Sequence, residues 1–160
     1  MITWETDEKE VSLETILNVE KVWDVLFPID FIECVTKYHG GEPSADGFNV
    51  GKRECSFYQL LSFNQEKKDY ILNVYHDLKC QLVDGIYPFG DDIADNHVCF
   101  DYRSNSQRPI IVFINHELAY ENPESSIFSS PIHLKNLLMV YMKKNKIKIT
   151  FHQEAGTKVF

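Results

Sequence analysis

With 160 residues the chain has the size of one domain and can bury a core without disulfides or a metal to hold it. An apolar share of 44% and a charged share of 25% fit a soluble globular protein, and no apolar run is long enough to span a membrane. The formal net charge of −8 argues against a nucleic-acid binder, which needs a basic face, and leaves two readings: plain solubility, or an acidic face aimed at a basic partner.

The N-terminal stretch Met1 to Glu8 is acidic and lacks the basic-then-apolar order of a signal peptide, so the chain is expected to stay in the cytoplasm. Trp4 sits in a short apolar patch that suits either a strand or a packed arm. From Ser12 the pattern turns helical. Leu13, Ile16, Leu17, Val19, Val22, Trp23 and Leu26 recur at three- and four-residue steps, with Ser12 as N-cap and Phe27-Pro28 as the stop. A second helix is expected from Ile29 or Asp30 to Tyr38, its stripe formed by Phe31, Ile32 and Val35. His39-Gly40-Gly41-Glu42-Pro43 ends it, with glycine just beyond the last turn and proline shortly after. Gly47 to Val50 reads as a short strand, and Cys55 to Phe63 as a longer one or a strand running into a loop. Lys67 to Gln81 reads as a helix, on the stripe Tyr70, Ile71, Val74, Tyr75 and Leu78.

Three apolar runs follow, Ile86 to Phe89, His97 to Tyr102 and Pro109 to Ile114, separated by polar, turn-rich gaps. That spacing predicts a β-meander at the centre of one sheet. The run through Val112 lacks polar alternation, so its strand should be buried on both faces. Leu118 to Ser130 reads as a loop. Pro131 then opens a helix through Leu134, Leu137, Leu138, Tyr141 and Met142 to about Lys144, and Ile147, Ile149 and Phe151 suggest a final strand. The expected fold class is α+β: one domain over residues 1–160, with a central, mostly antiparallel sheet and N-terminal, middle and C-terminal helices packed on it.

Several constellations invite chemistry. Asp91, Asp92, Asp95 and Asn96 gather oxygen ligands, but Ile93 and Ala94 interrupt the series and the closing glutamate of a calcium loop is missing. His97 and Cys99, with His76 or His116, lack the paired spacing of a zinc site. Cys34, Cys55, Cys80 and Cys99 contain no C-x-x-C and read as four reduced thiols. A G-x-S-x-G elbow and glycine-rich phosphate loops are absent. The residues offer no catalytic set, no cofactor site and no metal site.

The order of the motifs resembles a known family. Val22-Trp23-Asp24-Val25-Leu26-Phe27-Pro28-Ile29-Asp30-Phe31, followed by Tyr38-His39-Gly40-Gly41-Glu42-Pro43, is similar to the N-terminal signature of the SUKH superfamily. The central run from Ile86 to Arg103 resembles that family's second block. Pro109 to Glu117 resembles the strand after it, which closes on a histidine-glutamate pair, and Ile127-Phe128-Ser129-Ser130 loosely echoes the lead-in to the last helix. The likeness runs from about residue 12 to 144. The Asp95-Asn96 pair departs from it, where many relatives carry a glycine.

The resemblance implies a non-enzymatic protein. Bacterial members are mostly immunity proteins that bind and neutralise a toxin domain, and fungal relatives are scaffolds that regulate cell-wall glucan synthesis. The expected partner is a cognate toxin domain of basic, nuclease-like character, with no role for nucleic acid or membrane. Candidate contacts are the acidic turn Asp91, Asp92 and Asp95, with Glu42, Asp46 and Asp101 as neighbours. Tyr87 and Tyr102 would serve as aromatic anchors if exposed. A scaffold or regulator of cell-wall synthesis is the second reading, and a histidine-dependent small-molecule or metal enzyme the third.

Overall fold

The computed structural model describes residues 3–44, 47–50 and 53–129, with side chains described at 3–44 and 57–129. Helix α1 spans Leu13–Trp23 and is capped as expected, the Ser12 hydroxyl accepting the Thr15 N–H at 3.2 Å. It stops a turn earlier than the Phe27-Pro28 signal suggested. Asp24 adopts a left-handed conformation (φ 54°) and its N–H closes on the Glu20 and Lys21 carbonyls. Buried Glu20 then accepts the Phe27 N–H at 2.6 Å and ties down the connecting turn. Pro28 instead begins the next element, as the N-cap of α2 (Ile29–Tyr38). Beyond α2 the chain turns through Gly40 at φ 67°, where a Cβ would also collide with the Glu8 carboxylate. Glycine is required there on both counts.

Trp4 lies in a strand: β1 (Trp4–Glu5) pairs antiparallel with β2 (Glu42–Pro43). Strands β3 (Gly47–Val50) and β4 (Arg53–Ser56) form a separate hairpin. The stretch Cys55 to Phe63, expected as one longer strand or a strand running into a loop, is instead divided. Its first part belongs to that hairpin, and β5 (Gln59–Leu60) joins the main sheet. Helix α3 is shorter than the apolar stripe suggested. It covers Ile71–Leu78, with a 3₁₀ turn at Lys79–Gln81. The Ser62 N–H donates to the Asp69 carbonyl and the Ser62 carbonyl accepts from Ile71, so residues 69–70 are held in bridge pairing.

The main sheet is five-stranded and antiparallel, in the order β5-β6-β7-β8-β9. The meander provides its middle: β6 (Ile86–Asp91), β7 (His97–Asp101) and β8 (Ile110–Ile114), with β9 (Ile127–Ser129) at the edge. The register shifts between Pro88 and Gly90, a bulge at Phe89. Gly90 packs closely against the Phe57 ring, and a Cβ there would stand 2.6 Å from it. The segment expected as a loop from Leu118 contains α4 (His116–Glu121), a 3₁₀ turn at Pro123–Ser126 and β9. Two asparagines supply the caps that hydrophobic periodicity does not register: Asn115 accepts from the Leu118 N–H, and Asn122 from the Glu124 N–H. The helix expected from Pro131 and the strand expected at Ile147 to Phe151 lie outside the described residues.

The sheet is buried on both faces, as the run through Val112 suggested. One face carries Phe89, Val98, Phe100 and Phe113 against Phe27 and Phe31 from the helical layer. Phe100 stacks on Phe89 at 4.2 Å between ring centroids and meets Phe31 edge-on at 5.0 Å. The other face carries Ile86, Cys99, Val112 and Ile114 against Leu82 and Ala119. Cys34 and Cys99 are buried thiols without disulfide partners, and burial pushes Cys34 up to about 12, which suits inert packing residues rather than nucleophiles; Cys80 is an exposed free thiol, and the Cys55 side chain lies outside the described residues. The described residues thus form the expected α+β arrangement of a helical layer on an antiparallel sheet. Phe100→Ala should cost about 3–5 kcal/mol in urea unfolding, whereas Tyr120→Ser on the exposed back of α4 should stay within about 0.5 kcal/mol.

Candidate interaction surface at the strand ends

The turn between β6 and β7 is built around a buried carboxylate. Asp92 is only 6% exposed, and its Oδ1 accepts the N–H groups of Ala94 and Asn96, each at 2.8 Å. Its Oδ2 accepts from the Asn96 side-chain amide at 3.0 Å, and the Asp92 N–H closes the turn on the Asn96 carbonyl at 2.9 Å. That fixes the orientation of the Asn96 amide. Its Oδ1 therefore faces α4, accepting the His116 N–H at 3.0 Å and lying 2.9 Å from His116 Nδ1, which must carry a proton. The turn is latched to the start of α4. Beside it, His97 Nδ1 donates to Asp91 Oδ1 at 2.8 Å, while Gln59 of β5 reaches Asp91 Oδ2 at 3.4 Å.

This geometry separates the acidic residues that the sequence grouped. Asp92 is a structural group, with both oxygens engaged by N–H donors, which leaves it poorly placed to ligate a cation. Asp91 is half-buried and paired with His97. Asp95 is exposed at φ 60°, a left-handed position that aspartate tolerates better than most residues. Among the described residues, no group of three or more His, Cys, Asp or Glu side chains is arranged to hold a metal ion.

Two residues that sequence reasoning passed over stand at the same end. Tyr58 donates its backbone N–H to the Asp91 carbonyl at 2.7 Å and is 41% exposed. Its phenol is pushed up by a hydrogen bond to the Glu42 carboxylate and by that group's charge, which places Glu42 in the same neighbourhood. Ile93, at the tip of the turn, is 70% exposed. Glu42, Tyr58, Asp91, Ile93 and Asp95 thus gather acidic and apolar groups at one end of the sheet. An exposed isoleucine on a tight acidic turn is the signal that could have marked it.

The remaining candidates lie elsewhere. Asp101, at the opposite end of β7, is 5% exposed and receives the Arg103 guanidinium through Nε at 3.0 Å and Nη2 at 2.8 Å, along with the Arg103 backbone N–H at 2.9 Å. Tyr102 is buried, its hydroxyl donating to the Leu26 carbonyl at 2.7 Å, so the exposure an anchor needs is lacking. Tyr87 is half-buried, stacked on Trp23 at 4.9 Å between centroids. Asp46 lies outside the described residues.

One cluster looks catalytic at first glance. Glu8, His39 and Ser62 meet below the N-terminal arm, but the Ser62 hydroxyl donates to Glu8 Oε2 at 2.8 Å and lies 3.5 Å from His39 Nδ1. That nitrogen accepts the Phe63 N–H at 3.1 Å, and Nε2 stands 2.8 Å from the Lys9 carbonyl. A nucleophile must give its proton to the imidazole. Here the serine, fully buried, is bonded to the carboxylate instead. The cluster is a clasp that pins residues 8–9 to the end of α2.

An α+β molecule with a sheet closed on both faces and polar latches at its strand ends is what these residues define. The family model described as SMI1 / KNR4 family (SUKH-1) matches residues 10–131. The chain belongs to this family, within the SUKH superfamily. Among curated proteins none matches it. No described helix is long and apolar enough to cross a membrane.

The Asp101–Arg103 pair gives a pH-dependent prediction. Burial pushes the Asp101 carboxyl up, but the Arg103 hydrogen bonds and charge outweigh it and hold the group below its ordinary value. The pair's contribution is therefore full above the unfolded carboxyl value and is lost as pH falls through the lower folded one. Arg103→Ala should cost about 1–3 kcal/mol near pH 7, and the gap to wild type should narrow towards about pH 3 in urea unfolding.

Proposed function

We propose that this chain is an immunity-type protein of the cytoplasm that neutralises a basic toxin domain by binding it, without catalysing a reaction. The observation that carries the reading is the acidic turn at one end of the sheet, where Ile93 and Tyr58 stand exposed beside Glu42 and Asp95. Interfaces of high affinity pair an apolar or aromatic anchor with a charged rim, and these residues supply both. The net charge of −8 favours steering towards a basic surface. Family membership supports the reading, since bacterial SUKH proteins are mostly of this kind. The hydrogen bonds to Asp92 favour it further, because a turn already held in place loses little entropy when a partner docks.

A scaffold that regulates cell-wall synthesis is the second reading, supported by the family match itself. Growth rescue separates the two. The C-terminal domain encoded by the neighbouring gene is expressed with and without this chain. Rescue together with a co-purifying complex is expected. Toxicity without rescue, or no toxicity, would shift the reading to the scaffold. In the complex, Glu42→Gln with Asp95→Asn should weaken binding by about three- to tenfold and flatten its salt dependence, since rim charges act mainly through long-range attraction. Asparagine is chosen at 95 because it tolerates the left-handed backbone.

A further inference from the structure

The opposite end of the sheet holds a second feature that neither the family match nor the acidic turn accounts for. Trp23, at the last turn of α1, stacks on Tyr87 of β6 at 4.9 Å between centroids, and Tyr75 of α3 meets both rings, at 5.3 Å from Trp23 and 5.2 Å from Tyr87. Trp23 is buried at 6% exposure, whereas the two tyrosines remain partly exposed. The result is an aromatic floor whose tyrosines keep contact with solvent.

Two carboxylates act on this floor, beside Lys21 in the last turn of α1 and an Arg103 stem packed on Gly85, whose guanidinium is already paired with Asp101 and Glu124. Burial pushes both phenols up, and the Asp84 carboxylate pushes each of them further. Asp24 acts on Tyr87 in the same direction. Both aspartates are exposed and sit on fixed backbone. Asp24 is the left-handed cap that ends α1, and Asp84 directly precedes Gly85, whose carbonyl accepts the Tyr102 N–H at 2.9 Å. An aspartate at a helix C-terminus adds to the negative end of the helix dipole, an arrangement offset only in part by Lys21 in the same turn. Aromatic faces attract cations, and adjacent carboxylates strengthen the attraction.

We propose that Tyr75 and Tyr87, flanked by Asp24 and Asp84, form a receptor for one arginine side chain of a protein partner. A guanidinium suits the site better than an ammonium, because it stacks flat on an aromatic ring while its N–H groups reach carboxylates at the rim. The site lies at the other end of β6 from Asp91 and does not depend on the partner being a toxin. It marks a second contact point for a basic partner, on a surface distinct from the acidic turn.

The probe is N-acetyl-arginine amide, titrated into the full chain while the Tyr75 and Tyr87 ring signals are followed by NMR. Saturable shifts of both rings are expected, with the lysine analogue binding more weakly. Asp24→Asn with Asp84→Asn should weaken arginine binding by about three- to tenfold while leaving the fold intact, since both carboxylates are on the surface. Tyr87→Phe should retain most of the binding, because the ring face rather than the hydroxyl carries the attraction. Unsaturated shifts, or shifts that persist unchanged in the double aspartate variant, would overturn the proposal. Arginine binding here together with failed growth rescue would leave this site standing and remove the toxin reading alone.

Discussion

The central sheet is covered on both faces, and that burial dictates where everything else on the molecule can stand. Phe89, Val98, Phe100 and Phe113 face the helical layer, and Ile86, Cys99, Val112 and Ile114 face Leu82 and Ala119. Side chains along the middle of such strands have no access to a partner, whereas those near the strand ends, such as Tyr87 and Asp91, stay partly exposed. What remains for recognition are strand ends, turns and the outer sides of helices. Both surfaces identified on this molecule lie at strand ends, one after β6 and one before it.

Closing both faces also decides the fate of polar groups close to the sheet. A carboxylate beside a covered sheet must find donors or lose stability. Asp92 finds two backbone N–H groups and an amide, and Asp101 finds an arginine fork. These two aspartates are conspicuous in the sequence for their charge, yet their structural work is to finish the strands. Exposed partners are left to their neighbours. Asp95 and Ile93 project from the turn that Asp92 holds, and Glu42 reaches that end through Tyr58.

Much of the fold was legible in the residues. The meander, the two N-terminal helices and the Ser12 cap follow from hydrophobic period and local capping chemistry. The boundaries that shifted did so for contacts distant in sequence or invisible to periodicity. Residues 69–70 were drawn into pairing with Ser62, and α4 rests on asparagine caps within a stretch rich in turn formers. The candidate surface was legible only in part. An acidic cluster shows charge but not which carboxylates are consumed internally, and Asp92 and Asp101 turned out buried. Ile93 entered the sequence reading only as a break in a run of oxygen ligands and Tyr58 not at all, because a lone exposed ring or apolar side chain has no periodic signature.

The Asp92 carboxylate, with its link through Asn96 to α4, holds the acidic turn rigid. Amide hydrogen exchange on the unbound protein tests it most directly. Slow exchange is expected at Ala94, Asn96 and His116, although they lie in and beside an exposed turn, and much faster exchange at all three in Asp92→Ala. Exchange at the rate of an unstructured peptide in the wild-type chain would contradict it, because the turn would then be open in solution and the surface it presents would not be preformed.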